Sequence, residues 1–260
     1  MEQKIFNQYV EQCLPRLRNV VRKQIGHPDQ TDDIVQETLV KAWEKRASFK
    51  GNSTFCTWLC SIAIRNGLDF LRSQKQWREK SQVIYAWHCM NIPQWGVEVG
   101  QSMANPAIHY EADEHIAYCF SCVGRSLPPI EQAALILKEV LNLTGIEAGK
   151  VLGVTESVFR QHLTRARQTM QQKYASLCAL VNKQGVCYQC KGLREGFTEN
   201  RQGQWPLSTG LDFELRMKLV RNADIDQGKT QPMHEIFWRR TQQQEEQDMG
   251  DESATTDCGH

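Results

Sequence analysis

Long apolar runs are missing from this chain. Nothing in its 260 residues approaches the roughly 18 consecutive apolar residues of a membrane span, so no transmembrane helix is expected. The opening Met1-Glu2-Gln3-Lys4 lacks the basic-then-apolar layout of a secretory signal, which points to a soluble, cytoplasmic protein. Period-two alternation and β-branched runs are scarce, which argues against a sheet. No phosphate loop, nucleophile elbow or H-E-x-x-H pair occurs, and the chain does not read as an enzyme. An excess of one charge is also absent overall: 31 Lys and Arg against 30 Asp and Glu leave a formal net charge of +1. Cysteine, by contrast, is plentiful. In a cytoplasmic setting ten cysteines read as thiols, metal ligands or redox sensors rather than as a disulfide framework.

The near-neutral total hides a segregated pattern. Residues 1–80 carry +5 and 81–125 carry −3; 126–176 carry +2, 177–240 carry +3, and 241–260 carry −6. Two basic blocks flank an acidic connector, a layout that suits an acidic partner such as nucleic acid. Helical spacing dominates both blocks, and the fold expected is all-α. Ile5, Tyr9, Leu14, Leu17 and Val21 mark a first helix, with a kink or break expected at Pro15. Thr31 reads as the N-cap of a second helix, with Asp32 and Asp33 in its first turn. A third is expected from Phe55 to about Arg78, burying Trp58, Leu59, Ile62 and Ala63. Residues 81–105 read as a linker. A second helical block occupies 106–176, broken at Pro128-Pro129 and Gly153. Residues 177–240 form a mixed extension with one good helix, Leu211 to Asn222. Residues 241–260 are too polar to offset the entropy of ordering and read as a disordered acidic tail.

The strongest local signal lies at residues 144–170. Thr144-Gly145-Ile146-Glu147 fits a capping box that opens a short helix, and Gly153 permits the left-handed turn that ends it. Thr155 caps a longer helix. Gly149 is small enough for two helices to cross closely, and Phe159 is placed to plug the corner. This is the layout of a DNA-binding helix-turn-helix. Its second helix turns Arg160, Gln161, Thr164 and Arg165 away from the Phe159/Leu163 face, toward base edges. Thr155 and Ser157 suit phosphate contacts, and Arg167 adds backbone charge. The plain alternative is two packed helices with a solvated basic face.

Residues 41–80 mix aromatic and basic side chains: Trp43, Phe49, Phe55, Trp58 and Phe70 among Lys41, Lys45, Arg46, Lys50, Arg65 and Arg72. Aromatic faces stack on unpaired bases while cations follow the backbone, which suits single-stranded nucleic acid. The same aromatics also fit an apolar helix face, as core. The order of motifs is specific: Asp32 through Trp43, Phe49 through Ala63, and Asp69-Phe70-Leu71-Arg72 resemble the second region of extracytoplasmic-function (ECF) sigma factors. Leu127-Pro128-Pro129 through Arg165-Ala166-Arg167 resembles their fourth region. Together they cover roughly residues 5–80 and 106–176.

The resemblance implies two helical domains, 1–80 and 106–176, and a role in transcription initiation on promoter DNA with the core of bacterial RNA polymerase. Asp33, Gln36, Glu37, Lys41 and Glu44 would face the clamp coiled coil of the β′ subunit, and the β flap of the core is a further implied contact. Lys50, Asn52, Ser53, Arg65, Asn66, Asp69 and Arg72 would open and hold the minus-10 element. The helix-turn-helix, through Thr155, Ser157, Arg160, Gln161, Thr164, Arg165 and Arg167, would read the minus-35 element. An anti-sigma factor is a further implied partner, and no cofactor is required for promoter recognition. A stand-alone helix-turn-helix regulator with a metal- or redox-sensing module is the competing reading.

The extension at 177–240 is not part of that minimal architecture. Cys187-Tyr188-Gln189-Cys190 resembles a zinc knuckle, and Cys119-Phe120-Ser121-Cys122 is a second C-x-x-C. Two such pairs could complete a tetrahedral zinc site, with Cys178 and His234 as rival ligands. Cysteine is equally at home as a small buried residue, and Cys13, Cys56, Cys60 and Cys89 are expected simply to pack.

Overall fold

The computed structural model describes residues 1–26, 28–73, 97, 112–177, 187 and 213–226. All regular structure among these residues is helical, as expected. Helices α1 (Gln3–Ile25), α2 (Pro28–Glu44) and α3 (Phe55–Ser73) pack into a first bundle. A second bundle contains α4 (Ala112–Gly124), α5 (Pro129–Leu135), α6 (Gly145–Leu152) and α7 (Glu156–Leu177). Helix α8 (Phe213–Asn222) lies within the predicted Leu211–Asn222 segment and packs against α4. No helix among the described residues is long and apolar enough to cross a membrane.

Two boundaries differ from expectation for local reasons. Helix α1 runs through Pro15 without a break. Proline removes one backbone donor, but burial of Phe6, Cys13, Leu17, Val20 and Val21 along one face holds both halves in register. Helix α2 starts a turn before Thr31, which is fully buried inside it. Pro28 occupies the first helical position, where its fixed φ and missing donor cost nothing, and Asp29 supplies the first-turn carboxylate. The aromatic block is mainly core. Phe6, Phe49, Phe55, Trp43 and Trp58 form one cluster of edge-to-face and tilted rings with centroids 5.1–5.7 Å apart among α1, α2 and the start of α3. Cys13 and Cys56 do not simply pack: they form a disulfide joining α1 to the first turn of α3. Spacing could not show this pairing, because the helices bring together residues 43 apart in sequence. Cys60 is a buried thiol whose pKa burial pushes up to about 12. Cys89 lies outside the described residues.

The two bundles touch. The Gln132 amide of α5 donates to the Gln24 carbonyl (2.9 Å) near the end of α1. Helix α5 is buried almost all round and extends into one π turn, Ile136–Val140, closed by Leu141 N–H donating to the Ile136 carbonyl (3.1 Å). The segment at 213–226 bridges the bundles. Met217, Val220, Ala223 and Ile225 are buried, and the Lys23 ammonium of α1 donates to the Ala223 carbonyl (2.7 Å).

Burial pushes the Lys23 pKa down to about 7 from 10.5, against a smaller opposing pull from Asp224. The folded chain therefore binds this proton less tightly than the unfolded chain does. Its contribution to stability rises with pH between about 7 and 10.5. Denaturant titrations at stepped pH should show that rise, and Lys23→Met should flatten it; a slope unchanged by the substitution would contradict the assignment.

Candidate nucleic-acid interface

The helix-turn-helix is built as its local chemistry dictates. Thr144 Oγ1 accepts from Glu147 N–H (3.3 Å), and the Glu147 carboxylate accepts from Thr144 N–H (2.9 Å), completing the capping box. These hydrogen bonds, from the Thr144 backbone first, lower the Glu147 pKa. Gly153 ends α6 at φ +70, a conformation that β-carbons disfavour. A β-carbon on Gly149 would lie 2.9 Å from the Val154 carbonyl oxygen, so the turn closes against bare backbone. Thr155 Oγ1 accepts from Val158 N–H (3.3 Å) at the start of α7. Phe159 is 1 % exposed at the corner.

The open face of α7 carries Ser157, Arg160, Gln161 and Thr164, all exposed and spaced at 0, 3, 4 and 7 positions, one side of a helix. Arg160 pairs with Glu156 (2.5 Å), a solvent-exposed pair that a phosphate or base can displace at little cost. Val158 is exposed beside them, a residue the motif reasoning passed over. An exposed apolar side chain amid polar ones on such a helix suits a thymine methyl group.

Two arginines predicted for this face do different work. Arg165 is exposed but donates to Glu131 of α5 (2.7 Å), while the Arg167 guanidinium donates to the Glu139 carboxylate (2.6 and 2.9 Å). Glu139 is 3 % exposed, so Arg167 neutralises a carboxylate removed from water. Arg167 thus ties α7 to the π turn and is half-buried, off the exposed face.

The candidates on the first bundle fall into separate groups. Lys50, Asn52 and Ser53 are exposed in the loop before α3. Arg65, Asp69 and Arg72 form an exposed stripe near the other end of α3, about 15–25 Å further along the axis at 1.5 Å per residue. Asn66 is not on either surface. It is buried, donates to Thr38 Oγ1 (3.0 Å) and accepts from the Lys41 ammonium (2.9 Å), tying α3 to α2. Arg65 reaches across to the second bundle, donating to the carbonyls of Val151 (2.6 Å) and Lys150 (2.8 Å) at the C-terminal end of α6. Free carbonyls and the negative helix end favour a guanidinium there.

On α2, Asp33, Gln36, Glu37 and Glu44 are exposed along one face, and Lys41 is half-buried, paired with Glu37 and Asn66. Val40 stands in the middle of that face at 59 % exposure and was not singled out by the sequence pattern. An apolar centre ringed by acidic groups is a protein-docking surface in form.

Among the described residues no three His, Cys, Asp or Glu side chains come together closely enough to hold a metal ion. Cys119 and Cys122 are half-buried on α4, and Cys187 packs half-buried against the core. Cys190, Cys178 and His234, which complete or rival the expected zinc site, lie outside the described residues.

Comparison with known proteins matches both bundles in order. Residues 9–78 match the family described as Sigma-70 region 2, and residues 122–170 match Sigma-70, region 4. The ECF RNA polymerase sigma-E factors of Salmonella typhimurium and Escherichia coli are each 27 % identical over 176 residues, covering 68 % of this chain and 90 % of theirs. The corresponding protein of Haemophilus influenzae is 25 % identical over 179 residues, again 68 % and 90 %. A solved structure of the sigma factor RpoE in complex with the anti-sigma factor NepR, from Bartonella quintana, aligns at TM-score 0.43 and 25 % identity, covering 65 % of this chain and 96 % of that one.

Arg160→Ala removes only an exposed pair and should change stability by no more than about 0.5 kcal/mol. Arg167→Ala strands the buried Glu139 carboxylate and should cost about 3 kcal/mol, the lower end of the range because Arg167 itself is partly open to solvent. Urea denaturation of the two variants measures this directly. Equal stabilities would show that Glu139 does not depend on Arg167.

Proposed function

We propose that the chain belongs to the extracytoplasmic-function group of the sigma-70 family and that its two bundles divide the recognition of one promoter between strand-opened and duplex DNA. It acts as a sigma factor, directing core RNA polymerase to promoter DNA for initiation. The observation that carries this reading is the pair of family regions, in order, on two separate bundles, the second presenting an open recognition helix.

In this reading the α2 face of Asp33, Gln36, Glu37, Val40 and Glu44 docks on the β′ clamp coiled coil, with Lys41 holding that face to α3. The loop residues Lys50, Asn52 and Ser53 engage the opened minus-10 strand. Extracting a base from the stack costs a few kcal/mol, which a polar loop backed by a rigid aromatic cluster can offset. Arg65 and Arg72 lie farther along α3, where they meet the flanking duplex backbone, with Asp69 orienting Arg72. Ser157, Arg160, Gln161 and Thr164, with Val158, enter the major groove at the minus-35 element. Thr155 stays with the helix start as its cap. Arg165 and Arg167 set the pose of the recognition helix through Glu131 and Glu139. Every step here is binding, so the role requires neither a catalytic group nor a cofactor. A role with the polymerase and its template fits a cytoplasmic setting.

Run-off transcription with core polymerase over a randomised promoter library tests the division. The native chain should select two sequence blocks separated by a fixed spacer. Arg160→Ala, with the fold intact, should relax the upstream block at one or two positions, about 1–3 kcal/mol of discrimination each, and leave the downstream block unchanged. Loss of selection at the downstream block alone would contradict the assignment.

A further inference from the structure

Residues 213–226 contact both bundles: α8 packs on α4 and on the π turn of the second, and the residues after it bond to α1 of the first. Asp226 sits almost buried, its carboxylate accepting from the Arg18 guanidinium of α1 (2.7 Å). The next contacts come from the Ala223 carbonyl, which accepts from both Asn19 (3.0 Å) and Lys23 (2.7 Å) on the same helix. Two residues earlier, Arg221 donates to the backbone carbonyl of Glu139 (2.7 Å) in the second bundle. Val220, fully buried, lies between these anchors. The segment is thus fastened by charge-assisted hydrogen bonds to α1 on one side and to the π turn after α5 on the other. The sigma-E relatives align with 68 % of this chain while covering 90 % of their own length, so the chain carries a substantial part that they do not match.

The two bundles are in direct contact, with Arg65 of α3 seated on the end of α6 and Gln132 of α5 bonded to the end of α1, and residues 213–226 span both. The minus-10 and minus-35 elements are about 25 base pairs apart by name, or about 85 Å along B-form DNA. Two bundles in contact cannot reach both. We infer that residues 213–226 are an intramolecular strap occupying a surface shared by α1 and the π turn, and that it keeps the sigma factor closed until core polymerase draws the bundles apart. The strap and the polymerase then compete for one population. The apparent affinity for core enzyme falls by the fraction of molecules that are open. This inference rests on the sigma-factor reading given above and concerns the regulation of the same two surfaces.

The test uses the full chain and two variants that leave both bundles' own residues untouched. Asp226→Arg sets two cations against each other at Arg18. Val220→Asp puts a carboxylate into the apolar seat. Two quantities are measured for each: the radius of gyration of the free protein by solution X-ray scattering, and the dissociation constant with core polymerase by fluorescence anisotropy. Circular dichroism confirms that helicity is retained. The strap predicts an enlarged radius of gyration and about tenfold tighter binding for both variants, since each removes a contact made only in the closed form. Expanded variants that bind core enzyme no better than the native chain would overturn it, as would a native chain already as extended as the variants. If no form binds core enzyme at all, the strap's inhibitory role falls together with the sigma reading. That case is told apart by scattering that still shows a closed native chain and open variants.

Discussion

Glu139 is where the orientation of the second bundle is decided. Its carboxylate is nearly buried and must be neutralised. The group that does so is Arg167, two turns along α7 from Arg160, so the position of the recognition helix is tied to the demand of one buried charge. The backbone carbonyl of the same residue accepts from Arg221 of α8. One residue in a π turn therefore holds the recognition helix by its side chain and the C-terminal segment by its main chain. The turn is itself a departure from regular helix, closed by an i to i−5 hydrogen bond.

The same economy appears in the first bundle. Lys41 and Asn66 have the composition of nucleic-acid ligands, yet they meet each other, and Asn66 also bonds Thr38 across the α2/α3 seam. The aromatics likewise serve the core and leave the loop at residues 50–53 as the polar rim of a rigid wall. Surfaces for partners are made from the side chains left over once the buried polar groups have been satisfied. That is why the open face of α7 begins with Ser157 and contains Arg160, Gln161 and Thr164, but excludes Arg167.

What could be read in the sequence was set by short-range rules. The capping box at Thr144, the left-handed turn at Gly153, the close approach at Gly149 and the plug at Phe159 all lie within 16 residues and depend on local geometry. The helix of the extension was also legible from its period. The boundary at Thr31 went astray because two start signals competed, and the proline three residues earlier began the helix. The roles of Arg165, Arg167 and Asn66 were hidden because their partners lie 34, 28 and 28 residues away. The Cys13–Cys56 pairing and the Arg18–Asp226 contact, 43 and 208 residues apart, belong to the tertiary structure alone.

The account stands on two bundles gripping one promoter in two physical states, and only with the polymerase. Footprinting with permanganate, which attacks unstacked thymines, and hydroxyl radicals, which report backbone protection, reads both states on the same DNA. With core enzyme present, the account predicts permanganate-reactive thymines at the downstream element and protected, unreactive duplex about 25 base pairs upstream. Without core enzyme it predicts neither. Full protection of the upstream duplex by the isolated chain, with no reactive thymines when core enzyme is added, would contradict it and favour a stand-alone regulator.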